Sequence, residues 1–383
     1  MILHDLISYD VLRIIWWLLL GIVLVGFAVM DGFDLGTGML LPFVGKTDLE
    51  RRIVINTVGP VWEGNQVWLI LAGGAIFAAW PQLYAVSFSG FYIAMFLVLV
   101  GIILRPVGFK YRSKRESKTW RSTWDWLLFV GGFVPSLIFG VAMGNVLQGV
   151  PFEIKPDMQV FYRGSFFGLL NPFAILCGVL SIVMLLTHGA SWLAVKTDDP
   201  IFSRVRKIGM ITGVLTTILY GLCGLLLNLA TTGYHITGGV VANGPSNPLM
   251  KQIATNASGW LDNYHQTPIL WLVPIIGLVA PLLAVACLSM RKPVLAIIAN
   301  GLGIAGIIAS VGVAMFPFIL PSTIDPVMSL TVWDSSSSHF TLFVMLIVAV
   351  IFVPTVLAYT SWVYKILWGK VSVKTIEGNK QSY

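Results

Sequence analysis

Apolar residues gather along the chain into nine windows, at about 11–41, 52–79, 82–105, 123–145, 168–193, 208–230, 267–289, 293–319 and 339–367. Each is long enough to cross a hydrocarbon core of about 30 Å as a helix. The pattern predicts an all-α polytopic membrane protein forming a single integral-membrane domain over 1–383. Helices 1–4 (about 11–145) and 5–8 (about 168–319) are expected as two four-helix bundles, with helix 9 (about 339–367) peripheral. Pro60, Pro135, Pro274 and Pro281 fall inside predicted helices, where kinks are expected.

The connections alternate in character. One set is short and basic. The other, at about 146–167, 231–266 and 320–338, is longer and rich in Pro, Gly, Asn, Tyr and Trp, as suits ordered loops at a membrane surface. Only Arg13, Lys155, Arg163 and Lys251 fall on the side of the longer loops, leaving 20 of the 24 basic residues on the other. By the positive-inside rule the N-terminus faces outward and the C-terminus is cytoplasmic. Fusing the first two windows would misplace Lys46, Arg51 and Arg52, which favours nine spans over eight.

Composition agrees: 57% of residues are hydrophobic, 11% charged, and the mean hydropathy is +0.85. The net charge of +7 is confined to short loops, so it reads as topology, and no nucleic-acid partner is expected. Cys177, Cys223 and Cys287 stand singly in apolar runs, without disulfide or zinc spacing. Met1 to Asp10 holds no basic residue, so a removable signal peptide is not expected. Asn256-Ala257-Ser258 matches a glycosylation sequon, a pattern too short to carry weight.

Three acidic residues remain at membrane depth: Asp31, Asp34 and Glu63. Asp31 and Asp34 are three apart and share a helix face, roughly 7 and 12 Å toward the cytoplasm from mid-plane at a rise of about 1.5 Å per residue. Glu63, in Trp62-Glu63-Gly64-Asn65-Gln66, is placed within about 3 Å of mid-plane by the same rise. Three carboxyl groups then descend from the cytoplasmic face to the bilayer centre, as a proton relay requires, because desolvation favours a carboxyl group that can hold a proton. The structural alternative stays open: Asp31 and Asp34 can serve turns and caps, and Arg105 can pair with Asp34 at the cytoplasmic boundary. The five histidines show no paired ligand spacing and are expected at surfaces or interfaces. Trp16, Trp17, Trp120, Trp124, Trp126, Trp260, Trp362 and Trp368, near predicted span ends, are expected to form an aromatic belt.

Several stretches also carry a family likeness. Gly26-Phe27-Ala28-Val29-Met30-Asp31-Gly32-Phe33-Asp34, Trp62 through Trp68, Phe88-Ser89-Gly90-Phe91-Tyr92, Arg105-Pro106-Val107-Gly108-Phe109, Gly144 through Phe152, Leu170-Asn171-Pro172-Phe173, Thr267-Pro268-Ile269-Leu270-Trp271, Met315-Phe316-Pro317-Phe318 and Ser329 through Asp334 resemble, in order, subunit II of the cytochrome bd quinol oxidases. The resemblance implies a bacterial inner-membrane, respiratory-chain complex that oxidises quinol at the outer face and reduces dioxygen to water with cytoplasmic protons. It implies that haem b and haem d are ligated by a partner, subunit I, and that this chain ligates no haem but supplies part of the proton path. It leaves room for a quinone or lipid on this chain and for small single-helix subunits. The family's proton-path carboxylate falls on Glu63, where the usual residue is Asp. Asp31, Asp34, Arg105 and Asp125 match further charged positions, with Trp62, Asn65 and Gln66 beside the acid. The competing class is a secondary transporter that couples ions or substrate through mid-plane carboxylates. A structural membrane scaffold is a third reading.

Overall fold

Helix ends in this chain fall where the sequence offers caps and breaks. A computed structural model describes residues 6–256, 259–373 and 376; His4, Asp5, the last two residues of the sequon, Lys374, Glu377 and Lys380 lie outside them. The first predicted span is two helices, α1 (Tyr9–Met30) and α2 (Gly32–Val44), parted at Asp31. The second is α3 (Asp48–Val58) and α4 (Trp62–Ala79), parted at Gly59-Pro60-Val61. Thr47 and Glu50 close a capping box on α3, each side chain bonding the other's backbone N–H. Pro81 opens α5 (Pro81–Gly90), and a further break at Phe91 leads into α6 (Tyr92–Tyr111).

The later helices follow the predicted windows closely, except for one short helix inside the predicted loop 231–266. They are α7 (Lys118–Gln148), α8 (Pro172–Lys196), α9 (Ile201–Ala230), the short α10 (Asp262–Gln266), α11 (Leu272–Ser289), α12 (Pro293–Met315) and α13 (His339–Ile366). Ser117, Asn171 and Ser338 cap α7, α8 and α13 through their side chains, and Pro172 and Pro293 sit in the first turns of α8 and α12, where no N–H is needed.

Eight helical segments among the described residues are long and apolar enough to cross a membrane. The nine predicted windows differ at one place. The stretch 52–79 is broken, and α4, 18 residues and about 27 Å long, begins with Glu63, Asn65 and Gln66, which hold its hydropathy down.

α8, α9, α11 and α12 close a ring in which each packs on the next. In the first half α1 packs on α4 and α12, α2 on α7 and α8, and α6 on α7, while α13 lies outside against α1 and α4. Small residues set the closest approaches. A Cβ on Gly36 of α2 would fall 2.1 Å from the Leu185 carbonyl oxygen of α8, and one on Gly189 would fall 2.5 Å from the Gly36 backbone.

The three long loops carry antiparallel pairs of short strands: β1 (Phe152–Ile154) with β2 (Val160–Tyr162), β3 (Gly233–Gly238) with β4 (Gln252–Asn256), and β5 (Phe318–Leu320) with β6 (Leu330–Thr331). Arg13, fully buried on α1, pins two of these loops. It donates to Ser336 Oγ (2.8 Å), the Ala242 carbonyl (2.6 Å) and Ser246 Oγ (2.9 Å), beneath the Tyr9 ring. Buried Lys251 pairs with Asp334 at 3.0 Å in the same cap. The aromatic belt is partial: Trp126, Trp362 and Trp368 are exposed, but Trp16 and Trp260 are buried, their indole N–H groups donating to the Leu342 and Leu147 carbonyls.

Candidate functional site

The break between α1 and α2 places two carboxylates against one arginine. Asp31 sits at the break and Asp34 in the first turn of α2. Arg105, from α6, grips Asp31 with both arms, Nη1 to Oδ2 at 2.9 Å and Nη2 to Oδ1 at 2.7 Å, and reaches Asp34 Oδ2 at 3.8 Å. Gly131 of α7 makes room for the arginine stem, since a Cβ there would lie 3.1 Å from Arg105 Cγ and 2.8 Å from the Gly101 carbonyl oxygen. Asn65 Nδ2 donates to Asp34 Oδ2 at 2.8 Å, and the Tyr364 hydroxyl of α13 donates to Asn65 Oδ1 at 2.7 Å. Asp31, Asp34, Asn65 and Arg105 are at most 2% exposed.

The charges do not balance. Two ionised carboxylates facing one guanidinium leave a net negative charge in a site removed from solvent, and an uncompensated buried charge costs several kcal/mol. A single proton on the pair removes that charge. Asp34 Oδ1 and, one turn on, Thr37 Oγ1 are buried without a hydrogen-bond partner among the described residues, so the carboxyl oxygen free to take a proton is identified by the geometry.

The predicted site residues divide into three groups. Asp31, Asp34, Arg105 and Asn65 converge as described, although Arg105 pairs foremost with Asp31 rather than with Asp34. Glu63 does not join them. It is exposed in the first turn of α4, with no hydrogen bond or ion pair to any described residue. It stands two positions before Asn65, about 200° around the helix and about 3 Å along it. Glu63 and the Asp31–Asp34 pair therefore lie on two sides of the α4 wall, and Glu63 heads α4 instead of standing mid-helix. Trp62 is buried against Phe109, ring centroids 5.5 Å apart, and Gln66 is half-buried.

Asp125 belongs to a separate cluster at the α7 end. It takes Arg112 Nε at 2.5 Å and Arg51 Nη1 at 2.7 Å, while Arg112 and Arg121 share Asp48. Sequence reasoning missed Tyr364 and Thr37. The tyrosine is 299 residues from Asn65 and carries no local signal. Histidine 188 was expected at a surface or interface but is buried on α8, its Nε2 2.8 Å from the Val29 carbonyl oxygen and its ring beside Phe33. His339 Nε2 is 2.7 Å from the Ile7 carbonyl oxygen. Among the described residues no three His, Cys, Asp or Glu side chains converge as a metal site.

A family model described as cytochrome bd terminal oxidase subunit II matches residues 12–367. A probable cytochrome oxidase subunit 2 from Haemophilus influenzae is 51% identical, aligned over 98% of this chain and all of its own length. The cytochrome bd-I ubiquinol oxidase subunit 2 of Escherichia coli K12 is 48% identical over the same shares, and the cytochrome bd ubiquinol oxidase subunit 2 of Bacillus subtilis is 30% identical over 97% and 98%. The bd oxidase structure from Geobacillus thermodenitrificans contains a chain with the same fold, at a TM-score of 0.66 and 14% identity, covering 93% of this chain and 98% of that one. With its full-length relatives, its apolar helices and its shared fold, the chain belongs to the cytochrome bd terminal oxidase subunit II family and is a multi-pass subunit of a bd-type oxidase of the bacterial inner membrane.

Proposed function

We propose that this chain is the subunit of a quinol:dioxygen oxidoreductase that ligates no haem, packs against a haem-bearing subunit I, and supplies part of the route by which cytoplasmic protons reach the site of dioxygen reduction. The observation that carries the reading is the buried pair Asp31 and Asp34 facing the single Arg105, an arrangement whose charge one exchangeable proton would balance. Haem b and haem d are assigned to subunit I. The described histidines here do not fit axial ligation: His188 and His339 direct Nε2 at backbone carbonyls, and His235 and His265 lie in the long loops.

Glu63 is assigned to the face that meets subunit I. It heads a stripe with exposed Val67 and Ile70, and a carboxylate facing lipid there would go unsolvated, so a partner surface covers it in the assembled complex. In this reading Asn65 and Glu63 put the inner acid pair and the interface acid on opposite sides of α4, a short distance for a proton carried by water. The chain then crosses the membrane nine times, α4 included, with its N-terminus outward. Quinol is oxidised on the partner, and small single-helix subunits, or a quinone or lipid on this chain, are compatible additions.

The test is Glu63→Gln in the assembled oxidase. Quinol-driven oxygen uptake is expected to fall by roughly 10- to 100-fold, the scale of losing a positioned proton-transfer group, with haem content unchanged. Full turnover at normal haem content would remove Glu63 from the route.

A further inference from the structure

α13 is the most exposed of the long helices, yet it is fastened at both ends. Near its start the Leu342 carbonyl accepts from Trp16 Nε1 at 2.9 Å, and His339 Nε2 lies 2.7 Å from the Ile7 carbonyl oxygen. Between the ends it exposes Ile347, Val350, Ile351 and Phe352. In its last turn Tyr364 turns inward, packs edge-on against Trp192 with ring centroids 6.1 Å apart, and donates to Asn65 Oδ1.

The carboxylate and the hydroxyl together set the orientation of the amide. Its NH2 donates to Asp34 Oδ2 and its oxygen accepts from Tyr364, whereas an amide turned the other way would set its oxygen against a carboxylate. An amide in this position has no proton to hand on without changing tautomer, so Asn65 is a fixed donor rather than a link in a wire. We propose that Tyr364 is a positioning residue of the proton-handling site: by donating to Asn65 Oδ1 it locks the amide NH2 onto Asp34 Oδ2 and leaves Asp34 Oδ1 as the oxygen that gains and loses the proton. The O–H bond on Oδ1 forms when a hydrated proton hands over its extra proton and reverts to neutral water, and it breaks when that proton passes to a second water, restoring the carboxylate; no electron moves. Thr37 Oγ1, one turn from Asp34, is likewise buried without a partner among the described residues. The most peripheral helix of the chain thereby holds the geometry of its most buried acid. The inference rests on the proton-route reading above.

The experiment uses the assembled oxidase with Tyr364→Phe, Asn65→Leu, their double variant, and Asp34→Asn as reference. Oxygen uptake gives kcat and KM for quinol, and infrared difference spectra give the carbonyl band of a protonated carboxyl group, assigned by its loss in Asp34→Asn. Tyr364→Phe is expected to lower kcat roughly three- to tenfold, the scale of one lost hydrogen bond, with KM and haem content unchanged, and to shift that band. The double variant should be no slower than Asn65→Leu, because the hydroxyl acts only through the amide. A Tyr364→Phe enzyme with full kcat or an unmoved band overturns the inference, as does a double variant slowed by the product of the two single effects. If a second variant fails to assemble, the kcat-against-KM result of Tyr364→Phe decides alone, since it removes one oxygen from a half-buried side chain. Full turnover in Asp34→Asn would instead overturn the proton-route reading itself.

Discussion

Arg105→Leu tests the charge arithmetic at the α1–α2 break. The wild-type guanidinium makes two bonds to Asp31, at 2.7 and 2.9 Å, and stands 3.8 Å from Asp34, so its removal strips both carboxyl groups of the only cation that pairs with them among the described residues. Deleting one partner of a buried ion pair costs about 3–5 kcal/mol because the other charge stays buried and unpaired. Asp31→Asn perturbs the same bonds but leaves Arg105 and Asp34 balanced one to one, and the new amide oxygen still accepts from the guanidinium. Its cost is set by the weaker bond alone, about 1–2 kcal/mol. The double variant Arg105→Leu/Asp31→Asn should recover part of the single-variant loss, since one carboxyl group rather than two is left without a cation. The measurements are the yield of assembled complex and the thermal denaturation midpoint of what survives in mild detergent. The order expected is wild type, then Asp31→Asn, then the double variant, then Arg105→Leu. An Arg105→Leu protein that assembles and melts like wild type, or an Asp31→Asn protein as damaged as Arg105→Leu, would refute the reasoning.

Gly189→Ala should lower the thermal midpoint by driving α2 and α8 apart, at about 1–3 kcal/mol for overpacking, whereas Gly224→Ala, with open space around its Cβ, should raise it slightly through helix propensity; the paired melts check the opposite signs. In the first turn of α3, burial alone would raise the Glu50 carboxyl. The hydrogen bond from Arg204, with Nη1 to Oε2 at 2.6 Å, and those from the Lys46 and Thr47 N–H groups outweigh it and hold the carboxyl below its ordinary 4.5. A group depressed in the folded state stabilises fully above pH 4.5 and loses that contribution as the pH falls through its folded value. Glu50→Gln should therefore lower stability at neutral pH by less than about 1 kcal/mol, given solvent screening, and flatten the acid limb of a pH–stability curve below 4.5.

The helices were readable from apolar windows because length and hydropathy are summed over many residues, and α7 to α13, α10 apart, depart from the predicted windows by only a few residues at most ends. The breaks were readable only as kinks. Asp31-Gly32 and Gly59-Pro60 announce interruptions, but whether a chain bends or restarts depends on what the freed backbone meets, which is set by packing. That distinction moved Glu63 from the middle of a helix to its first turn. The polar members of the site were legible one by one, since a charged residue in an apolar window is conspicuous. Their pairing was not. By sequence Arg105 was expected to pair with Asp34, whereas the structure turns both of its arms to Asp31 and leaves Asp34 at 3.8 Å. Tyr364 was invisible because an aromatic residue near a span end looks like any other belt residue, and His188 was misplaced because nothing local marks the Val29 carbonyl that receives it.

Arg13 joins the beginning of the chain to its end. Its partner Ser336 lies 323 residues further on, so at about 5–20 residues per second the ribosome needs roughly 16–65 s to deliver it. Until the loop holding Ala242 and Ser246 arrives, 229 and 233 residues on, the guanidinium depends on water and lipid headgroups, and its last partner comes only with Ser336. Biogenesis of this loop cap therefore finishes backwards: the segment made earliest is the one sealed last, and a nascent protein cannot complete the cap until almost everything behind it has been made.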